Sequence, residues 1–350
     1  MNLTKESLEL ITVLDKINLP VYSKNELLLE LFFDKIIDNL KAINVNQIIL
    51  RYTKTKPKKT INLLGNSHNK DIYEHKYIIE YNKCLIILRY YSLYGLNKKS
   101  LIVIIQNILL TYKFKQNQNP IDIYIFPGKE KKKFGSNFIL SPKEINSGYT
   151  DNKRIVIYRN EERNKVLLHE LIHFLGIDLS QNDTKLDISS YINIDKSVKI
   201  NLNEAFTEMM ACLLNSIICS YLINKKKNKN LFKKFILYEL KFSLYQVSKI
   251  IIHYGYKNAN DFFKKHKDGK FDQKTSVFSY FIVKTSFFFN ISIFIQFLKN
   301  KNGKDYITLV KKTLKDKHFI ELVNVYINHI LNYKQPLLLK NTLRMTLIEI

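Results

Sequence analysis

The feature that most constrains this chain is the run Val166-Leu167-Leu168-His169-Glu170-Leu171-Ile172-His173-Phe174-Leu175. Apolar side chains surround a polar triplet at helical spacing, so the segment must be largely buried. Unsatisfied imidazoles and a carboxylate would be costly in such a place. His169 and His173 are four apart, so on a helix their rings leave the same face one turn apart. Two imidazoles held that way can share one zinc ion, each at about 2.0–2.1 Å. Glu170 is rotated about a third of a turn from His169. It can therefore reach a water on such an ion without ligating the ion, which is the position of a general base for hydrolysis.

A zinc site on one helix needs a third ligand from elsewhere. Asp178, five residues past His173, is one candidate. The other is Asn203-Glu204-Ala205-Phe206-Thr207-Glu208, which opens a strongly apolar helical stretch. Glu204 and Glu208 share a face; Glu204 can complete a His, His, Glu set, and Glu208 can accept the other ring N–H of a ligand histidine. Alone, the pair reads as ordinary carboxylates in a first helical turn. Beside the upstream motif, ligation is the better account, and the expectation is one Zn2+ per chain.

Composition bounds the rest. The 350 residues are 46% apolar and 25% charged, which excludes global disorder and allows two lobes or domains. The net charge of +25 suggests a polyanion partner. However, the cations are mostly Lys, spread along the chain with Asn and Ile, as an A+T-rich coding sequence imposes. A solvated Lys surface with weak, non-specific affinity for nucleic acid or anionic surfaces is the reading preferred here. Arg154, Arg159 and Arg163 cluster just before the motif, where their planar forks suit fixed carboxylate contacts, either structural ones with Glu161 and Glu162, the reading put first, or a substrate terminus. Cys84, Cys212 and Cys219 have no ligand or redox spacing and read as core residues of a reducing compartment. No signal peptide is visible in Met1–Leu10. The most membrane-like run, Val277–Leu298, is interrupted by Lys284 and Asn290 and reads as a buried helix, so no membrane span and an intracellular location are expected.

The expected fold class is α+β. Asn25 to Ile43 is helical; Ile48 to Tyr52, Tyr77 to Tyr81 and Leu85 to Tyr91 read as strands; Lys98 to Tyr112 is helical. Residues 1–115 thus form an N-terminal α/β domain, with a basic turn at Lys54–Lys59. Strands at Asp122–Phe126 and Arg154–Tyr158 flank a turn-rich segment holding Pro127-Gly128 and Asn146-Ser147-Gly148. A helix from Glu161 to Leu175 follows, with Gly176 as its stop. Residues 116–350 form the second domain: sheet and active-site helix over 116–176, then a mainly helical lobe over 177–350. Its helices run Asn203–Ile223, Leu231–Ile252, Ala259–His266 and Thr275–Leu298.

The His169–His173 segment joined to Asn203–Glu208 resembles the gluzincin class of metallopeptidases, with its His-Glu-x-x-His helix and downstream Asn-Glu-x-x-x-Asp/Glu. The stretch from Ile145 to Asp178 also resembles a set of predicted metallopeptidases encoded by giant DNA viruses. The resemblance implies a zincin-like core with a mixed sheet, zinc held by His169, His173 and Glu204, Glu170 as base, and Glu208 behind a ligand histidine. It implies a peptide substrate paired along the strand before the active-site helix, here Arg154–Tyr158. It also implies a downstream Tyr or His that stabilises the oxyanion. His253, Tyr254, Tyr256 and Tyr280 are available; spacing selects none, and His253 and Tyr280 are carried as candidates. His68, His75, His266, His318 and His329 read as ordinary surface or helix residues. No phosphate-cradling Gly loop, Gly-x-Ser-x-Gly elbow or Cys pair at finger spacing is present. Two rival readings stand beside the peptidase: an inactive zincin-fold protein with structural zinc, and a basic nucleic-acid or virion-associated protein.

Overall fold

The structure is a computed structural model, and it describes residues 1–17, 19–20, 26–56, 72–116, 120–135, 137–151, 153–186, 192, 194, 198–264 and 270–350. His68, His266 and positions 57–59 of the basic turn lie outside the described residues. The helices in chain order are α1 (Lys5–Ile17), α2 (Glu26–Lys41), α3 (Lys98–Phe114), α4 (Pro142–Ile145), α5 (Arg163–Phe174), α6 (Asn203–Asn224) and α7 (Lys229–His253). They continue with α8 (Ala259–Phe262), α9 (Lys284–Phe289), α10 (Ile291–Phe297), α11 (Gly303–Leu314), α12 (Lys317–Asn332) and α13 (Leu337–Asn341). The strands are β1 (Ile49–Thr55), β2 (Tyr73–Tyr81), β3 (Cys84–Ser92), β4 (Ile121–Ile125), β5 (Gly148–Thr150) and β6 (Ile155–Ile157). The chain is a mixed α+β protein, and its contacts divide it into two units, each discontinuous in sequence.

The first unit, Asp38–Lys131 with Ser147–Ile177, carries the six-stranded sheet in the order β1-β2-β3-β4-β6-β5. β1, β2 and β3 form an antiparallel meander; β4 joins β3 in parallel through the α3 crossover, and β6 joins β4 in parallel. β5 closes the edge antiparallel to β6. Period-two patterning explains the buried face: Tyr77, Ile79, Ile86, Leu88, Ile121, Ile123 and Ile125 lie in register and are buried. The opposite face is polar, with Arg89 ion-paired to Glu74 at 3.4 Å and to Asp122, and lying over the Tyr124 ring. His75, expected to be an ordinary surface or helix residue, is instead buried in β2. It lies between the Tyr52 hydroxyl and the Ser92 carbonyl, and burial pushes its pKa down.

Two sequence expectations are corrected here. Arg154–Tyr158 does not offer free amides to a peptide, because its strand, β6, is paired on both sides. Gly148 is not in a turn but opens the edge strand β5, whose short length left no periodicity to read.

The second unit is Met1–Ile37, Lys132–Asn146 and Asp178–Ile350, and it is mainly helical. α6 and α7 are buried almost all round. By length and composition α6 could cross a bilayer, but 83% of its most apolar window is buried inside the protein, as in a core helix. The expected single helix over Thr275–Leu298 is instead three pieces: a π-helical turn Phe278–Val283, then α9, then α10 after a 97° bend at Asn290. Asn290 leaves helical geometry at φ −106° and ψ 39°, and its side-chain amide turns back to the Ser286 carbonyl, which competes with helix continuation.

Segment Leu343–Ile348 runs through the interior of this unit. With no strand beside it among the described residues, its peptide groups need side-chain partners. The Glu239 carboxylate accepts the Leu347 and Ile348 N–H groups at 3.0 and 2.9 Å. Lys284 donates to the Met345 carbonyl at 2.8 Å, Asn215 to that of Ile348 at 2.7 Å, and Gln246 to that of Arg344 at 2.9 Å.

Candidate metal centre

α5 is positioned by its ends and by the sheet. Its entry residue Glu162 adopts φ +59°, a left-handed conformation uncommon for a residue with a Cβ. Its exit is a Schellman turn: Gly176 at φ +61° donates to the His173 carbonyl, and Ile177 to that of Ile172, both at 2.9 Å. Gly176 is therefore the stop expected from the sequence. Between these ends α5 packs against α3, β5 and β6, with Val166 to Ile172 buried.

His169 and Glu170 are each only 6% exposed, and His173 is half-buried. The two imidazoles converge: Nε2 of His173 lies 3.2 Å from Nε2 of His169, with the rings at 73° to one another. Two nitrogens bound to one tetrahedral zinc at 2.0–2.1 Å stand about 3.3 Å apart. The pair thus fits a zinc ion. His169, His173 and Glu204 form a group that could hold a metal ion.

The edge strand β5 lies directly over Glu170. A Cβ built on Gly148 would sit 2.9 Å from the Val156 carbonyl oxygen, 3.0 Å from Val166 and 3.3 Å from Oε1 of Glu170. Glycine in a strand commonly marks such a close approach. In a chain with nine glycines, that scarcity was the available signal for Gly148. Tyr158 was also missed. Burial pushes its phenol up to about 12, opposed by Arg159 and reinforced by Glu170, so it remains a proton donor at neutral pH in the neighbourhood of the carboxylate.

In the helical unit, Glu204 occupies the first turn of α6. Its Oε2 accepts from the Tyr280 hydroxyl at 3.1 Å, and its Oε1 from the Asn201 amide at 3.4 Å. Glu208 is buried, and the Cys212 thiol donates to it at 3.5 Å. Asp178, the alternative third ligand, accepts from the Asn203 side chain at 2.6 Å. The carbonyl of that same amide accepts the Leu179 N–H at 3.0 Å. His253 ends α7 with Nε2 on the Phe138 carbonyl at 2.7 Å, its ring among Phe134, Phe138 and Tyr254.

The arginine expectation is revised in part. Arg154 pairs with Asp151 at 3.3 Å and Arg163 donates to Asn160 at 3.3 Å, while Glu161 pairs with Lys131 at 3.6 Å. Local turn geometry took Arg154 and Arg163.

No family model matches the chain, and no solved structure matches it. It is similar to an uncharacterized protein of Acanthamoeba polyphaga mimivirus, 29% identical over 203 residues. The relative is viral. The match covers 54% of this chain and 51% of that protein, so the chain spans about half the length of the relative it matches.

Proposed function

We propose that this protein is a zinc-dependent peptidase with a zincin-like core, in which His169, His173 and Glu204 hold the metal and Glu170 is the general base. The observation that carries the reading is the 3.2 Å separation of the two imidazole Nε2 atoms on a buried helix. That separation matches the spacing two imidazoles take when each gives a ring-nitrogen lone pair to one shared cation. A zinc ion there would supply Lewis-acid polarisation and bring a bound water's pKa near 7.

The chain's own residues supply the remaining steps. The Glu170 carboxylate accepts the proton of the attacking water and delivers it to the departing amine nitrogen. Its burial beneath β5 strengthens that hydrogen bonding by keeping bulk water away. Among the described residues β5 is an edge strand of the sheet, a place where an extended peptide can add by backbone pairing, which supports a peptide substrate. The viral relative supports action inside an infected cell or particle.

The test is metal analysis with a peptide-library cleavage assay on wild type, Glu170→Gln and Glu204→Ala. Wild type and Glu170→Gln should each carry about one zinc per chain, and only the wild type should cleave. Glu204→Ala should bind zinc weakly; full affinity there would move the third ligand to Asp178. Equal cleavage by Glu170→Gln would remove the peptidase reading. Stoichiometric zinc with no cleavage by any form would indicate a structural site. Steeply salt-dependent DNA binding without metal would favour the nucleic-acid rival.

A further inference from the structure

We infer that Tyr280 is a positioning residue that orients the Glu204 carboxylate for the metal it would hold, an inference that rests on the metal assignment above. Tyr280 lies in the π-helical turn Phe278–Val283, a rare geometry found often at functional sites. Two consecutive residues of this turn engage the chain that opens α6. Ser279 Oγ donates to the Asn201 carbonyl at 2.6 Å, and Tyr280 Oη donates to Oε2 of Glu204 at 3.1 Å. The Asn201 amide then takes Oε1 of the same carboxylate at 3.4 Å.

A glutamate in a first helical turn has three rotatable bonds and two equivalent oxygens. Nothing in the α6 sequence selects among its rotamers. Here the phenol holds one oxygen at an ordinary hydrogen-bond length, while the contact to the other is long and weak. The phenol thereby restricts the rotamer of the Glu204 side chain through its hydrogen bond to Oε2. Tyr280 is 8% exposed, so water competes poorly for that hydrogen bond. An outer partner that fixes a ligand in this way is worth about ten- to a hundredfold in metal affinity.

The experiment measures zinc affinity by chelator competition, and the visible spectrum of the Co2+-loaded protein, for wild type, Tyr280→Phe and Ser279→Ala. Tyr280→Phe should bind zinc about ten- to a hundredfold more weakly, with a changed Co2+ spectrum and an unaltered melting temperature of the metal-free chain. Ser279→Ala removes the neighbouring hydrogen bond but no contact to the carboxylate, so its affinity and spectrum should match wild type. Wild-type affinity and spectrum in Tyr280→Phe would overturn the inference, as would an equal loss in Ser279→Ala. Should Tyr280→Phe destabilise the metal-free chain, Asn201→Ala carries the test, with a smaller affinity loss expected and a loss larger than that of Tyr280→Phe refuting the role. Absence of metal from the wild type would instead refute the metal assignment itself.

Discussion

Gly148→Ala puts one methyl group where β5 packs on α5, close to Glu170. The new Cβ would lie 2.9 Å from the Val156 carbonyl oxygen and 3.0 Å from a Val166 methyl. Both are inside ordinary contact, and the carbonyl belongs to a paired strand that cannot swing aside. β5 must therefore lift by several tenths of an ångström. Overpacking of this kind costs about 1–3 kcal/mol. At about 2–4 °C per kcal/mol for a domain of this size, a fall of several degrees in melting temperature is expected. The same methyl would stand 3.3 Å from Oε1 of Glu170, so the carboxylate proposed as base must shift as well. Misplacement of a reacting group by about 1 Å costs roughly a hundredfold in rate; a few tenths should cost about five- to twentyfold. The assay is peptide hydrolysis with zinc content measured on the same sample. Zinc should be retained, because neither histidine is among the atoms the new methyl meets. Gly255→Ala is the control. It has φ +84° with nothing within 4 Å of the added Cβ, so it should lower stability without touching hydrolysis. Full activity and unchanged melting in Gly148→Ala would refute the close approach of β5 to Glu170.

Other outcomes follow from the same contacts. His173→Ala should abolish stoichiometric zinc, since it removes one of two converging imidazoles, and it should lower the melting temperature of the zinc-loaded sample more than that of the metal-free one. Asn107 is buried in α3 with both side-chain polar atoms lacking a hydrogen-bond partner among the described residues, so Asn107→Leu should raise stability by about 1 kcal/mol in a denaturant titration. A loss of stability there would show that the amide has a partner. The hydrogen bond from Lys233, then that from Lys229, holds the Glu30 carboxyl below its usual range. A depressed carboxyl stabilises the fold above its unfolded pKa of about 4.3, and that contribution is lost as pH falls through the lower folded value. Acid melting of wild type should therefore fall more steeply than that of Glu30→Gln below about pH 4.5, and parallel curves would remove Glu30 from the account.

The convergence of His169 and His173 was legible because it is local to one helix. His169, Glu170 and His173 sit within five residues, and helical period alone places the imidazoles together. Gly176 was legible for the same reason, since only a residue without a Cβ ends a helix cheaply at positive φ. The strands β2, β3 and β4 were also readable, because alternating burial leaves a period of two in the sequence. β5 was not: three residues beginning with glycine carry no periodicity, and only its neighbour β6 and the helix beneath define it. Thr275–Leu298 read as one helix because it is mainly apolar and holds no Gly or Pro to mark a break. The turn at Asn290 and the π-helical register at Phe278–Val283 come from what packs around them.

The sequence by itself determined which residues could bind a cation and which could move a proton, since that depends on side-chain type and on spacing within one element. Tertiary structure alone decided that β5 rather than β6 ends the sheet among the described residues, that Gly148 is where a strand meets Glu170, and that the Tyr280 hydroxyl goes to Glu204. Each of these rests on contacts between separate elements of the chain. Spacing along a chain encodes the geometry of one helix or strand, but it says nothing about the contacts that form when separate elements share a core.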